Sequence, residues 1–301
     1  MTDKQPLYIL FTMECNPIPR KTNSGDAPRT WEISSRSIET YTYRVLSAGF
    51  AVTLFVDPWC AEEHTPLLEE LMAQKVEIGT YVHPPNMLTS PLTRHLGTYA
   101  ADDQRTMIEH ATDRFYEALG IRPRSFRGGR FSANDESYKV LYDLGYRQGS
   151  LSRPGFDARI YHAFWDGAAL YPHYVDPSNR LAIGSLPFLE LPLTCDPQRS
   201  QEEHLPIDLT IENGTFEALI RPVIDVRLAH MAEVNLNFRT LCITTANNVP
   251  YDKDDNKHVR TLDLLLDYLD ELAQHYTLQP VTLAAAHEQY RRMLATPLNS
   301  A

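Results

Sequence analysis

Three short clusters in this chain hold residues able to move protons or to bind anions and metals. The first is Glu14-Cys15-Asn16, at the end of the apolar run 7–13. A carboxylate placed there is costly to bury without a partner or a task. Glu14 is therefore a candidate general base or metal ligand, and Asn16 a neutral oxygen donor. The second is Tyr81-Val82-His83-Pro84. Imidazole binds divalent metals and titrates near working pH, and a phenol two residues away suits proton transfer. The third is Arg127-Gly128-Gly129-Arg130. Its glycines permit close backbone approach, and a guanidinium there could fix a carboxylate or orient a catalytic acid. Each cluster also has a plain structural reading: a solvent-facing cap carboxylate, a loop histidine and a buried salt bridge.

These clusters need a frame that brings distant segments together. Apolar runs predict strands at 7–13, 51–56, 75–82, 125–127, 147–151, 186–191, 240–245 and 279–283. Helical periodicity predicts helices at 34–48, 61–74, 102–119, 134–144, 215–232, 257–276 and 284–294. Residues 152–185 mix Pro, Gly, Asp and aromatics and read as a long loop. Alternating strands and helices imply βαβ units and a parallel sheet. About seven such units favour a distorted (β/α)7 TIM-like barrel of the α/β class, one domain over 1–301. A doubly wound sheet would normally place a glycine-rich phosphate loop after its first strand, and none stands there.

In such a barrel the reacting groups sit at the C-terminal strand ends. Asp57, Gln148, Ser150, Glu190, Thr244, Thr245 and Asn247 join the first three clusters on that ground. The stretches Tyr161-His162-Ala163-Phe164-Trp165-Asp166-Gly167 and Tyr171-Pro172-His173-Tyr174 are aromatic and polar at once. Sugar rings stack on such surfaces, and aromatics packed beneath a loop explain the pattern as well. Trp165, Tyr171 and His173 are the substrate-binding candidates, with His162 and His173 as spare metal ligands.

The chain has 301 residues, 43% hydrophobic and 22% charged, with a formal net charge of -11. That composition suits a soluble globular protein. No Lys/Arg run is dense enough to track a phosphate backbone, so no nucleic-acid partner is expected. No stretch is long enough to span a bilayer, and the apolar run at 7–11 is too short for a secretory signal. Cys15, Cys60, Cys195 and Cys242 lack CxxC spacing and read as free thiols in a reducing compartment. A cytoplasmic location is the expectation.

Taken in order, the stretches Phe11-Thr12-Met13-Glu14-Cys15-Asn16-Pro17, Glu77-Ile78-Gly79-Thr80-Tyr81-Val82-His83-Pro84, Ser125-Phe126-Arg127-Gly128-Gly129-Arg130-Phe131 and Leu144-Gly145-Tyr146 resemble the active-site motifs of the polysaccharide deacetylase family (NodB homology, carbohydrate esterase 4-like). The resemblance runs from about Leu7 to Leu294, on strands and helices in the family's order. It implies a distorted (β/α) barrel. In active members it implies a divalent metal, zinc first, and a water that hydrolyses an N-acetyl amide on a sugar with a carboxylate as base. Glu14 falls at the catalytic aspartate of the family and Asn16 at a second carboxylate. Tyr81 replaces the first histidine of the turn, and His83 keeps the second. Arg127 and Arg130 match the arginine motif. Gly149 falls where an aspartate often stands, and Thr245 or Ala246 where a late histidine is expected. The implied metal ligands are thus Glu14, Asn16 and His83, a thin set beside the three protein ligands of a catalytic zinc. The chain reads as a divergent member with degenerate metal motifs.

Three functions follow. One is hydrolysis of a non-peptide C–N bond on a sugar or small acylated metabolite. A second is metal-independent chemistry on the same frame, with Glu14, Tyr81 and His83 as acid and base. The third is a non-catalytic homologue that binds a saccharide through the aromatic loop.

Overall fold

The computed structural model describes residues 4–18, 27–86, 94–201, 205–245, 247–248, 251–253 and 256–296. Its centre is a curled sheet built on β1 (Gln5–Cys15), β2 (Val52–Val56), β3 (Glu77–Val82), β4 (Ser125–Gly128) and β5 (Gln148–Gly149). Strand Thr240–Thr245 flanks β1 on one side. Beyond β5 come Leu186–Glu190 and then His173–Val175. The last of these eight strands runs antiparallel to its neighbour, which leaves seven parallel strands around the curl. A further strand, Tyr276–Pro280, pairs with the first half of β1. The gap between Leu186–Glu190 and Thr240–Thr245 is bridged by Thr194, whose amide donates to Cys242, and by Leu209, whose carbonyl accepts from Thr244. The fold is the expected α/β barrel, distorted and incompletely closed.

Side-chain alternation sorts the core into two layers. On β1, Leu7, Ile9, Phe11 and Met13 pack outward against the helices, while Leu10 packs inward with Phe55, Tyr81, Leu189 and Cys242. By the same parity Glu14 points into the barrel. The surrounding helices follow local rules. Thr30 caps Trp31–Ser47 by accepting from the Ile33 amide, and Asn256 caps Lys257–Leu272 by accepting from His258 and Val259. Gly120 ends Ala101–Leu119 in the left-handed region at φ 65.

Several predicted elements change on inspection. The helix expected at 61–74 is two, Pro58–Glu63 and Thr65–Ala73, because Pro66 lacks the amide to continue the first. The helix expected at 134–144 is only Ser137–Asp143, and the strand at 147–151 only Gln148–Gly149. The segment 215–232 opens with a π turn, Phe216–Ile220, before Arg221–Glu233. The long loop at 152–185 contains the small hairpin Asp157–Ala158/Ala163–Phe164 and the sheet strand His173–Val175. A hairpin of Cys195–Gln201 with Leu205–Asp208 was not predicted. Among the described residues no helix is long and apolar enough to cross a membrane.

Candidate functional site

Glu14 lies one residue before the end of β1, so the strand itself aims it at the barrel mouth. The carboxylate is 3% exposed. Burial pushes its pKa up, opposed by the charges of Arg127 and Arg130 and by a hydrogen bond from the Tyr81 hydroxyl. Tyr81 lies one residue before the end of β3, on the same inner face, and is itself buried. Burial and the neighbouring Glu14 raise its phenol well above the usual range, so it remains a hydrogen-bond donor.

Arg127 crosses the mouth from β4 and is fully buried. Its Nη1 donates to Thr244 Oγ1 at 2.7 Å and approaches Glu14 Oε1 at 3.4 Å. Its Nη2 and Nε donate to Ser150 Oγ at 2.8 Å and to the Ser150 carbonyl at 3.0 Å. Phe55 lies below the guanidinium at 4.4 Å and Phe131 at 5.3 Å. Four strand ends, those of β1, β4, β5 and Thr240–Thr245, thus meet at one side chain.

Arg130 projects from a tight turn after β4. Arg130 and Phe131 both adopt left-handed backbone, at φ 57 and φ 56, a costly conformation for residues with side chains. Two contacts hold the turn. Trp165 Nε1 donates to the Phe131 carbonyl at 2.7 Å, and the Gly97 amide donates to Ser132 Oγ at 2.9 Å. Gly129 has to be glycine here, because a Cβ would stand 2.6 Å from His83 Cβ and Cγ. His83 therefore lies directly against the arginine turn. Its ring stacks on His95 at 5.2 Å, and His95 meets Tyr161 edge-on at 5.1 Å. The Arg130 guanidinium sits 5.4 Å over the same Tyr161 ring. Burial, the His95 ring and the Arg130 charge bring His83 down to about 3. Burial and Arg130 lower His95 as well, and its buried Nδ1 has no hydrogen-bond partner among the described residues. Both imidazoles are neutral at working pH.

The donor set does not fit the metal that the sequence resemblance implies. Among the described residues, no three His, Cys, Asp or Glu side chains gather into a group able to hold an ion. Glu14 is engaged by Arg127 and Tyr81. The Arg130 charge falls on His83 and His95 and would repel a cation between them. Asn16 is tied through its backbone to Asn248, whose side chain accepts from its amide at 3.0 Å and donates to its carbonyl at 3.2 Å. A family-type aspartate at position 149 has no room, since a Cβ there would meet Leu151 Cδ1 at 2.3 Å. Thr245 donates to Glu212, and Ala246 lies outside the described residues.

The remaining candidates scatter. Trp165 is fully buried, so it presents no face for a sugar and instead pins the Arg130 turn. Tyr171 stacks on His230 with Arg227 over its ring. His173 is buried in the strand paired with Glu190, and its Nδ1 lies 2.8 Å from the Tyr171 carbonyl. Glu190 is buried under the Leu151 and Ser152 amides, and burial raises it to about 7. Asp57 caps the Trp59 amide at 2.9 Å, and burial lifts it to about 7. Gln148 belongs to the opposite end of the barrel, where it bonds His287 and Ser125. His95 was not singled out from sequence. It lies in irregular chain beyond β3, where neither periodicity nor spacing marks it.

No family profile and no curated protein matches the chain. Solved structures do. A PuuE allantoinase superposes with a TM-score of 0.61 at 13% identity, over 95% of this chain and 90% of that one. A structure assigned as a polysaccharide deacetylase from Pseudomonas aeruginosa PAO1 gives 0.60 at 12% identity, over 95% and 91%. Another so assigned, from Mycobacterium smegmatis, gives 0.57 at 13%, over 99% and 94%. The chain has the fold of these proteins, the one its motifs led us to expect.

Proposed function

On the premise of that shared fold, we propose that the chain is a divergent polysaccharide-deacetylase relative that hydrolyses a non-peptide C–N bond without a bound metal. The substrate is an amide on a sugar or on a small acylated metabolite. The observation that carries this reading is the buried Glu14 carboxylate at the barrel mouth, raised in pKa and oriented by Tyr81 and Arg127 beside the Arg130 charge. A raised carboxylate is a better general base.

Glu14 takes a proton from water as the water oxygen bonds to the carbonyl carbon. Arg130 faces the negative charge that develops on the carbonyl oxygen. The C–N bond then breaks, and the proton held by Glu14 passes to the departing nitrogen. Tyr81 and Arg127 keep the carboxylate in place throughout. His83, as a neutral imidazole, hydrogen-bonds the substrate, and the Tyr161 ring offers it an aromatic wall.

The test is turnover by chelator-treated protein on N-acetyl sugars and small acyl amides. Activity that survives chelation and is lost in Glu14→Gln supports the proposal. Activity that needs an added divalent metal sinks the metal-independent part. A second reading, a non-catalytic saccharide-binding homologue, is favoured by the burial of the Arg127–Glu14 pair. It requires saccharide binding that persists in Glu14→Gln with no turnover in either protein. The four cysteines are unpaired and buried, which suits a reducing compartment, and we propose a cytoplasmic location.

A further inference from the structure

At the end of the barrel opposite Glu14, a pocket of about 600 Å³ opens between helix Leu283–Ala295 and the starts of β3, β4 and β5. Its walls carry Arg122, Arg124, Arg147 and Arg291, in a protein whose net charge is -11. Two carboxylates share the lining, Glu77 and Glu288. Four guanidinium groups thus outnumber the two carboxylates. Glu77 accepts from Ser125, from Thr53 and from the Ala284 amide. Glu288 holds Arg291 at 3.1 Å on the exposed face of their helix. Arg122 reaches outward to Asp113. The Arg124 side chain makes no hydrogen bond or ion pair among the described residues.

The protons of the floor have a fixed direction that ends on the Glu77 carboxylate. Gln148 Nε2 donates to Ser125 Oγ, and Ser125 donates to the Glu77 carboxylate. The Gln148 carbonyl oxygen therefore accepts from His287 Nδ1 at 3.0 Å, which leaves His287 Nε2 to accept from the Tyr174 hydroxyl at 3.3 Å. Burial and then Arg291 hold His287 down at about 4, with Arg124 and Arg147 adding to the effect. Three guanidinium groups thus act on this neutral imidazole, opposed only by Glu288.

We propose that this pocket binds a small molecule through a doubly charged phosphate group, with Arg124 and Arg291 as its principal contacts. The volume suits a metabolite. Planar guanidinium groups match phosphate oxygens two at a time.

The test is calorimetric titration of the full chain with inorganic phosphate and with glycerol phosphate, against potassium chloride of equal ionic strength. Saturable binding is expected, weakened about tenfold by Arg124→Gln or Arg291→Gln and unchanged by Arg130→Gln at the other mouth. Both pocket arginines are exposed, and a melting curve on each variant checks that it folds. Heats indistinguishable from chloride overturn the proposal. So does binding that survives both pocket variants, whether or not Arg130→Gln removes it.

Discussion

Arg127 lies closer to Thr244, at 2.7 Å, than to Glu14, at 3.4 Å. Its other bonds, to Ser150, are also shorter than the one to the carboxylate. The guanidinium is locked by neutral neighbours before it meets Glu14. The carboxylate is consequently the looser partner of the pair, fixed in place yet still able to accept a proton.

That asymmetry sets different outcomes for the two partners. Arg127→Met leaves the buried Glu14 with the Arg130 charge alone and should lower unfolding free energy by about 3 kcal/mol. Glu14→Gln keeps an oxygen for Tyr81 and should cost clearly less, while turnover falls by about 10²-fold or more. Urea unfolding beside a turnover assay separates the two. Equal destabilisation by both would contradict the order of bond lengths.

Glu190 gives a pH signature. Its carboxyl stands at about 7 in the fold against 4.5 as the reference for an exposed chain. The folded protein therefore holds a proton that the unfolded chain has lost, and stability from this group drains away as pH rises from about 4.5 through about 7. In Glu190→Gln that loss is absent. The variant should gain on the parent protein by roughly 2–3 kcal/mol between pH 5 and pH 8, read from melting temperatures at both. A gap that does not widen with pH refutes the assignment.

His83 acts in the opposite sense. Its folded value of about 3 lies below the reference 6.5. Between those values the unfolded chain binds a proton that the fold refuses, so stability falls as pH drops through this window. Removing the imidazole in His83→Asn should make the acid-side decline shallower below pH 6. An unchanged slope would mean that His83 is protonated in the fold.

Gly129→Ala places a methyl 2.6 Å from His83. It should cost roughly 1–3 kcal/mol through overpacking and, on the proposed mechanism, raise KM more than it lowers kcat, because it displaces the His83 imidazole and leaves Glu14 in place. Paired measurements of stability and steady-state kinetics check both halves.

The sequence made the frame legible where pattern is local. The unbroken apolar run of β1, the Gly120 stop and the stripe of Lys257–Leu272 each follow from nearest-neighbour chemistry. The positions of Glu14, Tyr81, His83, Arg127 and Arg130 were readable because each lies at or just after a strand end. What was not readable depends on distant chain. Trp165 looks like a stacking surface until its indole is seen bonded to the Phe131 carbonyl. Gln148 looks like a mouth residue until the two-residue length of β5 puts it at the base. His95 joins the site only because the chain beyond β3 folds back onto His83.

β1 is the seam of the molecule. It pairs with Val52–Val56, made soon after it, but also with Thr240–Thr245 and Tyr276–Pro280, more than 200 positions later. During synthesis this apolar strand must wait with one edge open until most of the chain has left the ribosome. Glu14 is thus among the first groups made and among the last to be enclosed. Newly made protein should lean on chaperones through that interval, a burden set by connectivity and not by the stability of the finished fold.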